Sequence, residues 1–225
     1  MTITAFVMAQ GEQQRIGHRF VGPKQLIPIF GDQTIFERTI QQIRAAGVKR
    51  IVAVVHGGPW WTQVLTKPDT CVETYIHPNP GASVVGGILQ CKHLWGDQRN
   101  VFFLGDVVYS HSAVRHMVEV PTSGQSAVLY GRSGPNRFTK KIFSEIFGCS
   151  FEKNEDPISK LAEKYGVNWT RHQDTKLFTV KDALPWVDVK PTFIEIDDYT
   201  DDVDTEDDYV KRLPILRECV IRDVS

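Results

Sequence analysis

The sequence predicts an α/β fold built on a mostly parallel sheet. Short apolar runs rich in β-branched residues alternate along the chain with segments of helical three-to-four spacing. Strands separated by helices pair in parallel, because each helical crossover brings the chain back to the same edge of the sheet. The size is also right: 225 residues, 41% hydrophobic and 10% aromatic, can bury one full core, which places residues 1–225 in a single domain.

The elements follow in order. ITAFVMA, 3–9, is an apolar strand. TIFERTIQQIRAAG, 34–47, is a helix with Phe36, Ile40, Ile43 and Gly47 on one face, closed by Gly47 in the C-terminal position that favours glycine. RIVAVVH at 50–56 and CVETYIH at 71–77 are strands, SVVGGILQCKHLW at 83–95 is a helix, VFFLGD at 101–106 a strand and HSAVRHMVEV at 111–120 a helix. After Gln125 the rhythm changes. SAVLYGRSGPNRFTKKIFSEIFG places strand-like pieces around a Gly-Pro-Asn turn, DPISKLAEKYG is helical, and strands are expected near KLFTV and PTFIEID. Residues 125–190 are therefore read as an insertion within the domain that shapes a second substrate's pocket. The last helix is capped by Thr205 and opens with Glu206, Asp207 and Asp208, carboxylates that suit a helix N-terminus as a solvated run.

Composition narrows the partners. The formal charge is -1 with acidic and basic residues interspersed, so neither a nucleic-acid face nor a polybasic membrane segment is expected. No apolar run approaches the ~18 residues of a membrane span, and the N-terminus lacks the pattern of a signal peptide; a cytoplasmic protein is expected. Cys71, Cys91, Cys149 and Cys219 are far apart and read as buried free thiols in a reducing compartment. The seven histidines include no HxxxH or HExxH spacing and are taken as structural, as are Trp60 and Trp61.

The candidate chemistry begins in MAQGEQQRIGHRFVGPKQL, Met8 to Leu26, a polar loop longer than its flanking strand and helix need. It leaves the carboxyl end of the first strand, where α/β sheets bind ligands. Gly11 permits close backbone approach, and Arg15 and Lys24 bring two cations to one mouth, an arrangement able to hold a polyphosphate.

The order of residues resembles the nucleotidyltransferase family, the sugar-phosphate and phosphocholine-type pyrophosphorylases. The matching residues are Ala9, Gln10, Gly11, Arg15, Pro23, Lys24, Leu26 and Ala46-Gly47-Val48, with Gln10 where the family has Ala or Gly and Gln13 where it has a second Gly. NPGASVVGGIL, 79–89, resembles the family's loop and helix that contact nucleobase and ribose; VFFLGDVVYS resembles its strand ending in Gly-Asp; TDDVDTEDDYVKRL resembles its closing DVDTPEDY. The resemblance covers residues 3–110 and 193–213.

It implies a Rossmann-like, mostly parallel mixed sheet of the GT-A-like nucleotidyltransferase kind, with a small insertion lobe. It also implies transfer of a nucleoside monophosphate from a triphosphate to a phosphorylated acceptor, a sugar 1-phosphate or a similar small phosphate or phosphonate, with loss of pyrophosphate. Ala9, Gln10, Gly11, Gly81 and Ser83 would contact the nucleotide, Arg15 its β- and γ-phosphates, and Lys24 its α-phosphate and the incoming oxygen. Mg²⁺ would be held by Asp106 and Asp204, with Asp202 as the alternative within the Asp-Val-Asp pair. Ser83 also reads simply as a helix cap, and Arg132, which clusters with Lys140, Lys141 and Glu145 beside the turn where an acceptor could bind, reads either as an acceptor-phosphate ligand or as part of a hairpin connection. Two other readings stand beside this one. A nucleotide-sugar-dependent glycosyltransferase of related fold would usually show Asp-x-Asp, whereas Val108 stands two residues after Asp106. A non-catalytic nucleotide or sugar-phosphate binder is suggested by Gln10 and Gln13. The expected partners are small molecules, with a homo-oligomer left open.

Overall fold

Seven strands form the central sheet of the computed structural model, which describes residues 2–11, 16, 19–70, 72–78, 83–120, 127–166 and 177–224. In chain order the elements are β1 (Ile3–Ala9), β2 (Pro28–Phe30), β3 (Gln33–Thr34), α1 (Ile35–Ala45), β4 (Arg50–Val55), α2 (Pro59–Leu65), β5 (Glu73–Ile76) and α3 (Val84–Gln90). There follow β6 (Arg99–Leu104), β7 (Val107–Val108), α4 (His111–Glu119), β8 (Ala127–Arg132), β9 (Glu145–Glu152), α5 (Pro157–Tyr165), α6 (Leu177–Ala183), β10 (Pro191–Glu195), β11 (Asp201–Asp202) and α7 (Leu213–Val224). The sheet order is β10-β8-β9-β6-β1-β4-β5, with β9 antiparallel to both neighbours and every other pairing parallel. β1 thus has parallel partners on both sides, β4 and β6, and the chain leaves it outward through β4 and β5 before returning to β6. Such a reversal of direction opens a crevice at the carboxyl ends of the strands.

Alternation along β1 divides the core. Ala5, Val7 and Ala9 join α1 and α4 on one face, while Phe6 and Met8 join α3, α5 and α6 on the other. A smaller cluster, including Ile27, Ile29, Tyr199, Val203, Leu216 and Val220, seats α7 beside the loop that follows β1. α1 starts with a reciprocal cap in which Thr34 Oγ1 accepts from Glu37 N and the Glu37 carboxylate accepts from Thr34 N. Gly47, at φ 87°, ends its C-terminal turn.

Three expectations change. KLFTV lies at the start of a helix, not a strand: Leu177, Val180 and Leu184 fall at three-to-four spacing and are buried together against the α3 face of the sheet. The Gly-Pro-Asn turn is not a tight hairpin, because β8 and β9 are joined by residues 133–144. Asn136 organises that loop, its Oδ1 accepting from Phe138 N and Thr139 N and its backbone exchanging hydrogen bonds with Lys140 and Lys141. Asp208 is buried, not solvated: it accepts from Asp204 N, Thr205 N and Thr205 Oγ1 and pairs with Arg212, closing the cap that Thr205 begins. Asp207 is half-exposed and pairs with Lys211. Residues 208–212 take the wider π turn immediately before Pro214, whose missing N–H interrupts the helical ladder.

Candidate active site at the carboxyl end of the sheet

Pro23 precedes a single 3₁₀ turn, Lys24–Leu26, closed by Leu26 N donating to Pro23 O at 2.8 Å and Ile27 N to Lys24 O at 3.2 Å. Gln25 and Leu26 are buried by this turn, which leaves the Lys24 side chain directed at the end of β6. There the chain must press close: Gly105 N donates to Met8 O at 2.9 Å, and a Cβ on Gly105 would stand 2.9 Å from both Met8 O and Ala9 Cβ. Only glycine permits that approach, and the next residue is Asp106. β11 pairs antiparallel with β7, Asp202 opposite Val107, and Val203 N donates to Asp106 O at 3.2 Å, so Asp204 arrives beside Asp106 from almost a hundred residues away.

The Lys24 ammonium contacts both carboxylates, Asp106 and Asp204. All three side chains are largely withdrawn from solvent, at 11%, 20% and 23% exposed. Burial alone would lower the lysine's pKa, but the two carboxylates reverse this and hold it above the ordinary value. A single cation therefore already sits between the pair, and both carboxylates are within reach of one ion. Among the described residues no group of three or more His, Cys, Asp or Glu side chains is placed to hold a metal. A pair of hard oxygen donors fits Mg²⁺, which usually takes one or two carboxylates and completes its shell with waters and substrate phosphates.

Asp202, close enough to Asp106 and Asp204 to feel their charge, pairs with Lys141, which also pairs with Glu145 at 3.0 Å and Asp201 at 3.9 Å. Burial and the nearby Asp204 push the Asp202 carboxyl up while Lys141 pulls it down; the lysine itself is held above its usual value by these carboxylates despite its burial. Arg132 is fully engaged inside the protein, its guanidinium donating to Gly134 O, Thr200 O and Asp201, so it pins the 133–144 loop and leaves no fork for an acceptor phosphate. Asp201, wholly buried, also takes Asn136 and Thr139. Sequence reading groups Lys141 with Glu145 and misses their meeting with Asp201 and Asp202, which stand 56 or more residues further on and share no spacing with them.

The other expected contacts are placed unevenly. Ala9 is buried at the end of β1, Gly11 follows it, and Gln10 lies between them, buried on the α3 face. Ser83 caps α3, its Oγ accepting from Gly86 N at 3.0 Å. Arg15, Gly81 and Cys71 lie outside the described residues. Cys91 and Cys149 are buried free thiols, pushed up to about 12 by burial.

A family model described as the MobA-like NTP transferase domain matches residues 5–175. No curated protein matches the chain. Solved structures do. A provisionally named glucose-1-phosphate thymidylyltransferase from Bacillus anthracis, in complex with a sucrose, is 14% identical with a TM-score of 0.72 over 100% of this chain and 97% of that one. HddC from Yersinia pseudotuberculosis is 16% identical, TM-score 0.65, over 95% and 99%. The nucleotidyl transferase Mth528 from Methanothermobacter thermautotroptrophicus is 15% identical, TM-score 0.67, over 97% and 99%. Likeness at these identities establishes the fold, a mostly parallel mixed sheet flanked by helices as in the GT-A-like nucleotidyltransferases.

Proposed function

Since the chain belongs to the MobA-like NTP transferase domain family, we propose that it transfers a nucleoside monophosphate from a nucleoside triphosphate to a small phosphorylated acceptor, a sugar 1-phosphate or a similar phosphate or phosphonate, and releases pyrophosphate. The observation that carries this reading is the Lys24 ammonium shared by Asp106 and Asp204 at the mouth of the central strands. HddC, one of the structures of like fold, has been solved with GMP-PN.

In this reading an acceptor oxygen attacks the α-phosphorus in line, the α–β bridging bond breaks, and pyrophosphate carries away the electron pair. A phosphate acceptor is already ionised near neutral pH, its second pKa being about 6, so no protein base is required. Negative charge gathers on the α-phosphate and leaving-group oxygens. Lys24, a compact charge with three donors, turns from its carboxylates to the α-phosphate and the incoming oxygen, and Arg15 presents its fork to the β- and γ-phosphates. Asp106 and Asp204 would hold Mg²⁺, which supplies charge neutralisation for the triphosphate. Asp202 remains bound to Lys141, and the pair forms the wall beyond which residues 125–190 receive the acceptor. The backbone of Ala9 and Gly11 leaves room for the phosphates, while Gln10, Gly81 and Ser83 face the nucleoside.

Pyrophosphate release, measured over a panel of triphosphates and phosphorylated acceptors with Mg²⁺, tests the proposal. Release that depends on acceptor is expected for at least one pair. Triphosphate binding with no release for any acceptor would favour the binder, and hydrolysis of nucleotide sugars would favour the glycosyltransferase.

A further inference from the structure

The crevice above the strands is chemically divided. On the β6 and β9 side it is charged, with Lys24, Lys141 and their carboxylates. On the β1, β4 and β5 side, the polar residues that directly follow the strands among the described residues are Gln10, His56 and His77, and none of them is an acid, a lysine or an arginine. The β1–β4 and β4–β5 registers put Gln10 and His77 at the same level, one residue beyond Ala9, Val55 and Ile76. A triphosphate whose phosphates lie at Lys24 must extend its nucleoside to one side or the other. The neutral side suits an uncharged heteroaromatic ring, and the charged side suits a second phosphate.

Gln10 is built into this wall. It is 2% exposed, and α3 carries Gly87 where the amide packs: a Cβ there would clash with the Gln10 nitrogen and would stand 3.0 Å from Gln10 Cδ and 3.0 Å from Met8 Cε. Glycine is a poorer helix former than alanine, so the niche stands against local preference. The nitrogen of the amide is turned to the helix. Its oxygen is buried and has no hydrogen-bond partner among the described residues. A buried acceptor left unmade is expensive, and a wall residue in that state is satisfied when a ligand brings a donor.

We infer that Gln10 selects the nucleobase: its side-chain oxygen accepts from an exocyclic amino group, so the site takes triphosphates of adenine, guanine or cytosine in preference to those of uracil or thymine. The inference rests on the nucleotidyl-transfer reading above. An amino group offers its N–H freely. Uracil and thymine offer only a ring N–H between two carbonyl oxygens, which would face the Gln10 oxygen while the amide nitrogen that could answer them is packed against Gly87 of α3.

Calorimetric titration of the protein with ATP, GTP, CTP, UTP and dTTP in Mg²⁺, without acceptor, tests it. At least one amino-bearing triphosphate is expected to bind ~10-fold or more tightly than UTP and dTTP, the scale of one buried hydrogen bond. Gln10→Met keeps the length of the side chain in the Gly87 niche and removes the acceptor, and should bring the five to within about threefold of one another; Gln10→Glu, which keeps an acceptor oxygen, should retain the order. Wild-type binding of UTP or dTTP as tight as that of every amino-bearing base, or an unchanged order in a folded Gln10→Met, would overturn this inference and leave nucleotidyl transfer standing. Binding of none of the five would overturn both.

Discussion

Lys24 is a largely buried cation bound to Asp106 and Asp204, and the proposed reaction would give it a second state, directed at phosphate. Lys24→Ala should leave the fold intact and lower turnover by about 10²- to 10³-fold, the usual effect of removing one donor to developing charge; near-normal steady-state rates would remove this loop from catalysis. Without nucleotide, Lys24→Met should bind Mn²⁺ more tightly than the wild type in an electron paramagnetic resonance titration, because the ammonium no longer competes for the carboxylates. Equal or weaker binding would show that the lysine does not occupy the cation's place. The two aspartates of the Asp-Val-Asp pair separate in the same way. Asp204→Asn should abolish metal-dependent turnover with little change in melting, whereas Asp202→Asn, which takes from the buried Lys141 its nearest carboxylate and leaves it Glu145 and Asp201, should cost about 1–2 kcal/mol of stability, read from urea denaturation. Lys24, Asp106 and Asp204 were legible as residues because a family motif marks each; that Asp204 rather than Asp202 meets Asp106 depends on the β7–β11 register.

At the scale of elements, α7 is tied to the body through Asp223, which accepts from Tyr199, from Arg38 of α1, and from His111 N and Nδ1 at the start of α4. Partial burial would raise this carboxyl, but the hydrogen bonds from Tyr199 and His111 outweigh it and hold it below the usual aspartate range. A depressed carboxylate contributes stability that is present above the unfolded-state pKa of about 3.9 and is lost as pH falls through the lower folded value. Asp223→Asn should therefore melt below the wild type at pH 7, with the gap closing as the pH drops below about 4 in parallel calorimetric scans. Gly87 supplies the opposite test of local preference. Alanine is the better helix former, but its methyl must turn aside the side-chain ends of Gln10 and Met8, so Gly87→Ala should change stability by less than about 1 kcal/mol; a loss of several kcal/mol in urea denaturation would show that those two side chains cannot move. Strongly periodic elements such as α1 and β1 were readable from sequence. KLFTV was not, because four apolar or β-branched residues after a lysine satisfy a strand and a helix equally, and only burial of Leu177, Val180 and Leu184 on one face decides between them.

For the whole molecule, the site draws on β1, β6, β11 and the loop before β2, so a ligand that bridges them should stabilise the entire domain. With only two carboxylates available, Mg²⁺ alone should shift the melting point little, and triphosphate with Mg²⁺ should shift it most. At a concentration of 100 times its dissociation constant the pair contributes ~2.7 kcal/mol, roughly 5–10 °C for a chain of this size. An equal shift from Mg²⁺ alone would mean a metal site complete without nucleotide. What the sequence determined by itself was local and ordered: the alternation of strands and helices, the caps at Thr205 and Ser83, and the succession of motifs that names a family, all of which depend on residues near one another in the chain. What only the tertiary structure decided were the meetings of distant residues. The meeting of Asp204 with Asp106 at Lys24, the capture of Arg132 by Thr200 and Asp201, and the resting place of the Gln10 amide on Gly87 each depend on strand register or on one backbone approaching another. Such contacts leave no periodicity in a linear chain, because the energy that fixes them belongs to the packed sheet and not to any one segment.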